Sequence, residues 1–89
     1  MNGSQKPVLS IIIVSYNVKD LLSECLTSVS RFVEAPHEIL VIDNASGDGT
    51  PQHIRAHFPN VLLTENKKNA GFSAANNQGF ELAKGEYIL

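Results

Sequence analysis

Glu38-Ile39-Leu40-Val41-Ile42-Asp43-Asn44-Ala45-Ser46-Gly47-Asp48-Gly49 carries the information that decides the fold. Its consecutive aliphatic residues, two Ile and a Val among them, read as a strand buried on both faces. Continuous apolar runs of this kind belong to parallel sheets covered by helices, whereas half-solvated antiparallel strands alternate. The run breaks at Asp43-Asn44, an acid and an amide at the carboxyl end of the strand. Open α/β sheets bind their ligands there. The same two residue types also terminate strands and start turns, so on their own they leave both readings open.

Working outward, strand and helix patterns alternate. Upstream, Pro7 opens Val8-Leu9-Ser10-Ile11-Ile12-Ile13-Val14-Ser15, a β-branched run that predicts a buried first strand ending at Tyr16-Asn17. A helical period follows, with Leu21, Leu22, Cys25, Leu26, Val29, Phe32 and Val33 on one stripe, and Pro36 stops it. That spacing makes Cys25 a core residue. Downstream, Ser46 to Pro51 combines a flexible turn with Thr50 as N-cap and Pro51 in the first helical position. Ile54 and Phe58 form the inner face of a short helix that ends at Pro59-Asn60. Val61-Leu62-Leu63-Thr64 reads as a short edge strand.

A small-residue helix comes next. Phe72, Ala75, Leu82 and Ala83 are expected on its inner side, and Gly85 as its stop. A helical Gly79 costs about 1 kcal/mol against Ala, which implies a close neighbour there. Glu86-Tyr87-Ile88-Leu89 begins a fourth strand. The tally βαβαβαβ predicts a Rossmann-like open parallel sheet. With the first strand central, the second and third on one side and the fourth on the other, a crevice opens where Tyr16-Asn17, Asp43-Asn44 and the loop from Asn66 to Gly71 meet.

Composition narrows the function classes. Eighty-nine residues suit one small domain, below the usual size for an α/β fold, so a piece of a longer protein is expected. A net charge of -2 provides no basic excess for nucleic acid. The single cysteine permits no internal disulfide and points to a reducing compartment. No apolar run is long enough to cross a bilayer, and residues 1–6 read as a disordered lead-in without signal-peptide character.

Nucleotide motifs divide the remaining possibilities. A dinucleotide fold needs Gly-x-Gly-x-x-Gly after the first strand, where this chain has Ser15-Tyr16-Asn17-Val18-Lys19-Asp20. A P-loop fails for want of Gly-Lys-Ser or Gly-Lys-Thr. The segment from Asp43 to Gly49 is like a calcium loop in composition, but Ile54 stands where an EF-hand places its last acid.

The chain resembles the N-terminal part of the GT-A catalytic domain of family 2 glycosyltransferases, rhamnosyltransferase-type members above all. The resemblance rests on Ser10-Ile11-Ile12-Ile13-Val14-Ser15-Tyr16-Asn17, on Val41 to Thr50, on Asn69-Ala70-Gly71-Phe72-Ser73 with Asn77-Gln78-Gly79, and on Ala83 to Leu89. Together these pieces span nearly the whole chain, and the nucleotide-binding portion is expected over residues 7–89. The resemblance implies an inverting enzyme that moves a sugar from a UDP- or dTDP-linked donor to a saccharide or lipid-linked acceptor hydroxyl, with this chain supplying the nucleotide-binding half.

Site residues follow from the same resemblance. Val14, Tyr16 and Asn17 would line the base and ribose pocket, and Asp43 and Asn44 would hydrogen-bond the nucleoside. Gly71 would let the backbone approach the nucleotide, with Asn69 and Asn77 holding that loop and the helix after it. Lys67 and Lys68 are candidates to approach a diphosphate, although a solvated loop pair is the commoner explanation of adjacent lysines. Asn76 stands where some relatives have a basic residue, so no phosphate contact is assigned to that position. The Asp-x-Asp motif that binds Mg²⁺ or Mn²⁺ and the catalytic carboxylate would lie beyond Leu89, so no catalytic or metal-binding residue is assigned here and the chain alone is expected to be inactive. The resemblance also implies a cytoplasmic enzyme, at the inner face of the membrane if its other regions attach it. A non-catalytic nucleotide-binding or regulatory module is the rival reading.

Overall fold

A computed structural model describes residues 7–89; the lead-in expected over residues 1–6 lies outside the described residues. The elements run β1 (Leu9–Ser15), α1 (Lys19–Phe32), β2 (His37–Asp43), α2 (Thr50–His57), β3 (Leu62–Glu65), α3 (Phe72–Leu82) and β4 (Tyr87–Ile88). The sheet is parallel throughout, in the order β3-β2-β1-β4. Its register aligns Ser15 with Asp43 and Asp43 with Glu65, so β1, β2 and β3 all end at one level. The expected alternation, the central first strand and the edge position of the third are all observed.

Both faces of β2 are covered, which accounts for its unbroken apolar run. On one face Ile11, Ile39 and Val41 pack with Leu22 and Leu26 of α1 and Ile54 of α2. On the other, α3 lies so close to β1 that a Cβ on Gly79 would stand 2.5 Å from Ile12 Cγ2. The glycine therefore allows the helix axis to approach the strand, as its cost in a helix implied.

The helix stripes are narrower than the sequence suggests. On α1 the inward line is Leu22, Leu26, Val29 and Val33, while Leu21 is 67% and Phe32 76% exposed. Cys25 is exposed as well, which corrects its assignment to the core. The reason is geometric: residues 21, 25 and 32 lie one step, about 100°, off the inward line, and only one sheet meets this helix. On α3, Ala75 and Gly79 are buried, but Phe72 and Leu82 turn outward, against expectation.

Two boundaries also shift. Thr50 is the first residue of α2, with Gly49 at the cap. Helix α3 ends at Leu82, and Gly85 serves another purpose: a Cβ there would lie 2.7 Å from both the backbone N and the Oγ of Ser10. The Gly85 N–H donates to Ser10 Oγ at 2.8 Å, and Ser10 Oγ donates to Glu38 Oε2 at 2.6 Å. This partly buried link fastens the chain before β4 to the sheet.

Candidate functional site

Three loops follow the carboxyl ends of β1, β2 and β3, and side chains join them. Asp43 is only 1% exposed. Its Oδ1 accepts from Ser15 Oγ at 2.8 Å and Ser46 Oγ at 2.6 Å, and its Oδ2 accepts from Ser46 N at 2.9 Å. The carboxylate thus uses most of its acceptor capacity within the protein. Ser46 Oγ in turn accepts from Asn17 N at 2.9 Å, and Asn17 Oδ1 accepts from Gly47 N at 2.7 Å. These bonds hold Asn17 and Ala45 in the left-handed region, at φ 52° and 64°. For Ala45 that conformation costs roughly 1–2 kcal/mol, offset by the bonds on either side of it.

Asp48 extends the seam to both helix starts. Its Oδ2 accepts from Lys19 N at 3.1 Å, capping α1, whose own N-cap residue Val18 has no polar side chain to offer. Its Oδ1 accepts from Thr50 N at 3.1 Å and from the Thr50 hydroxyl. The Thr50 hydroxyl, with the Lys19 and Thr50 N–H groups, holds the Asp48 carboxyl below the usual carboxylate range against a smaller opposing effect of desolvation.

The third loop is held by amides. Asn44, 2% exposed, accepts at Oδ1 from Asn66 Nδ2 at 2.9 Å and Ala70 N at 3.3 Å, and donates from Nδ2 to Gly71 O at 3.2 Å. Asn66 and Gln78 form a reciprocal amide pair at 2.8 and 2.9 Å. Asn69 accepts from Gly71 N at 2.9 Å and shapes the turn into α3. Gly71 itself has φ 85° and ψ 165°, a conformation that favours glycine. Asn77 is exposed, and the tie expected of it is made by its neighbour Gln78.

Asn17, Asp43, Asn44, Asn69 and Gly71 therefore belong to one connected rim, and Tyr16 and Val14 are continuous with it along β1. Tyr16 is 51% exposed, and Val14, two residues earlier, is half-buried. Lys67 and Lys68 are exposed in the β3–α3 loop. An open cleft of about 440 Å³ lies at the other end of the sheet, lined by Ser30, His37, Phe58 and Pro59 among others. It contacts none of the three loops.

Sequence reasoning missed Ser15, Ser46, Asn66 and Gln78. Ser46 had a local signal, since a carboxylate three residues ahead of a backbone N–H is a common turn device. The Asn66–Gln78 pair had none, because its partners are separated by a turn of unspecified shape. Every buried side-chain nitrogen or oxygen among the described residues has a hydrogen-bond partner. Among those residues, no three or more His, Cys, Asp or Glu side chains converge in a way that fits a divalent metal. No helix of the described residues is long and apolar enough to cross a membrane.

The family model for glycosyl transferase family 2 matches residues 10–89. A poly(ribitol-phosphate) beta-glucosyltransferase of Bacillus spizizenii is 36% identical over 87 residues, covering 91% of this chain and 14% of that protein. An N-acetylglucosaminyl-diphospho-decaprenol L-rhamnosyltransferase of Mycobacterium tuberculosis is 38% identical over 71 residues, covering 80% of this chain and 23% of the relative. Among solved structures, a mannosyltransferase of Pyrobaculum calidifontis in complex with GDP-Man and Mn²⁺ superposes with a TM-score of 0.80 at 29% identity, over 96% of this chain and 27% of its own. TarS 1–349 of S. aureus gives 0.82 at 26% identity, over 91% and 26%. The chain spans between 14% and 34% of the length of the curated relatives it matches.

Proposed function

The chain belongs to glycosyl transferase family 2 and has the GT-A type fold, and from that premise we propose that it forms the nucleotide-binding half of a sugar-transferring enzyme. The observation that carries this reading is the joining of three loops, distant in sequence, at the carboxyl ends of β1, β2 and β3. A pre-shaped rim of this kind binds without first having to order its own side chains.

In this reading the exposed Tyr16 ring packs on the base, with Val14 and Asn17 completing the base and ribose pocket. Asn44 keeps one amide hydrogen beyond the bonds described, available to an acceptor on the nucleoside. Asp43 acts through the loop it holds, because its buried carboxylate is already taken by Ser15 and Ser46. Gly71 brings backbone close to the ligand, and Asn69 and Gln78 fix the loop. Lys67 and Lys68 approach the diphosphate.

The donor is a UDP- or dTDP-linked sugar and the acceptor a hydroxyl on a saccharide or lipid-linked glycan. Oxygen of the acceptor forms the new bond to the anomeric carbon, the bond to the diphosphate oxygen breaks on the opposite face, and configuration inverts. Mg²⁺ or Mn²⁺ and the base that takes the acceptor proton belong to other parts of the full-length protein, so these residues alone do not catalyse transfer. The mannosyltransferase that this chain resembles was solved with GDP-Man and Mn²⁺, which supports divalent metal use in the longer enzyme. We place that enzyme in the cytoplasm, in peripheral contact with the membrane through its other regions.

The test is an assay of the full-length protein across a panel of nucleotide-sugars, with and without Mn²⁺. Hydrolysis or transfer from at least one donor, weakened by Tyr16→Ala mainly through KM, is expected. Binding of nucleotide without turnover of any donor would favour a regulatory module instead.

A further inference from the structure

Helix α2 carries a feature that nucleotide binding does not use. His53 and His57 are one turn apart on Thr50–His57, with ring centroids 4.4 Å apart and planes inclined by 40°. Two imidazoles bound to one ion through nitrogen at about 2.0–2.1 Å have ring centres about 4.5–5 Å apart. The spacing brings both rings within reach of one ion, and rotation about the side-chain bonds is what turns a nitrogen of each toward it. Residues four apart on a helix share one face, so closing the chelate needs no backbone change. His57 is exposed and His53 half-buried, and the described residues place no third His, Cys, Asp or Glu beside them.

Position favours a cation there. His57 is the last residue of α2, where the unpaired carbonyls of the final turn carry partial negative charge. The nearby guanidinium of Arg55 is drawn away by its ion pair with Glu65 of β3. His53 also lies against Phe58, with centroids 6.3 Å apart, which limits the freedom of its ring.

We propose that His53 and His57 form a two-imidazole site for a borderline divalent cation of the zinc, nickel and copper class, with water completing the coordination sphere. Imidazole nitrogen selects these ions over Mg²⁺ and Ca²⁺, which prefer oxygen. The site is thus chemically distinct from any Mg²⁺ or Mn²⁺ that serves a diphosphate. It lies on a helix that supplies no residue to the nucleotide rim except through the Asp48–Thr50 link. The consequence is a staple across the last turn of a short helix, which stabilises the fold by mass action when the ion is bound.

Calorimetric titration of the full chain with NiCl₂ and with ZnCl₂, in a buffer free of chelators, tests the site. One ion per chain is expected, unaffected by excess Mg²⁺. His53→Ala and His57→Ala should each weaken binding about a hundredfold, since a single imidazole loses the gain of the second ligand. The thermal midpoint should rise with Ni²⁺ in the parent chain and stay fixed in both variants. His57→Gln, which keeps the side chain's bulk, guards against an effect of the alanine on helix stability. Undiminished affinity in these variants, or no saturable binding by the parent chain, would overturn the proposal. Because the readout involves no nucleotide, failure here leaves the sugar-transfer reading standing, and the converse holds.

Discussion

The two faces of the sheet are built on different principles. Toward α1 and α2, large aliphatic side chains interlock, with Leu26, Val41 and Ile54 at 1% exposure or less. Toward α3, contact depends on the near absence of side chains: Ala75 and Gly79 let the helix backbone settle on Ile12, and the larger Phe72, Phe80 and Leu82 point away. The first face resists loss of volume, whereas the second resists its addition. The crevice lies at one end of both faces, where α1 and α2 are fixed by Asp48 and Asp43, and α3 by Asn44, Asn66 and Gln78.

That contrast can be broken most forcefully at Leu26. Leu26→Ala should cost about 2–5 kcal/mol in chemical denaturation, the usual range for a buried leucine in a packed core. A cost below about 1 kcal/mol would mean that this face is not the main core. Gly79→Ala tests the opposite face in the opposite direction. In an exposed helix it would gain about 1 kcal/mol, but here overpacking against Ile12 should leave a net loss of about 1–2 kcal/mol. Adding Ile12→Ala should abolish most of that loss, a non-additivity measurable in a double-mutant cycle.

Two smaller effects sharpen the comparison at the crevice. Gln78→Leu should cost about 1 kcal/mol and weaken nucleotide affinity, because Asn66 loses its reciprocal partner and the loop to Gly71 loosens. Asn77→Ala, on the exposed side, should change stability by less than about 0.5 kcal/mol and leave affinity alone. Smallest is the effect of Asp48→Asn, read in acid unfolding. The folded-state carboxyl titrates below its unfolded value, so its contribution is complete above the ordinary carboxylate range and is lost as pH falls through the lowered value. Replacing it should flatten that part of the stability profile by lowering the neutral plateau, while stability below the lowered titration, where Asp48 is already protonated, changes little.

Much of this was legible in the sequence, for unequal reasons. Unbroken apolar runs specified β1 and β2, and Gly79 announced a close approach, because each has a direct local cause. Cys25, Leu21 and Phe32 were misplaced because periodicity locates an apolar stripe but not the width of the surface that covers it. Phe72 and Leu82 were misplaced because a helix that packs through small residues hides its inner side from any count of large ones. At the site, the strand-end residues were visible as chain breaks after apolar runs. Their partners were not, since Asn66 meets Gln78 and Asn17 meets Ser46 only once the turns between them have closed.

The central claim is that Tyr16-Asn17, Asp43-Asn44 and the loop ending at Gly71 surround a single nucleoside. Titration of UDP, dTDP and GDP into the isotopically labelled full-length protein, followed by backbone amide shifts, tests it most directly. The account predicts saturable changes for at least one nucleotide at Tyr16, Asn17, Asn44 and Gly71 together. Changes confined to Ser30, His37 and Phe58 at the opposite end of the sheet, or no saturable change with any of the three, would contradict it.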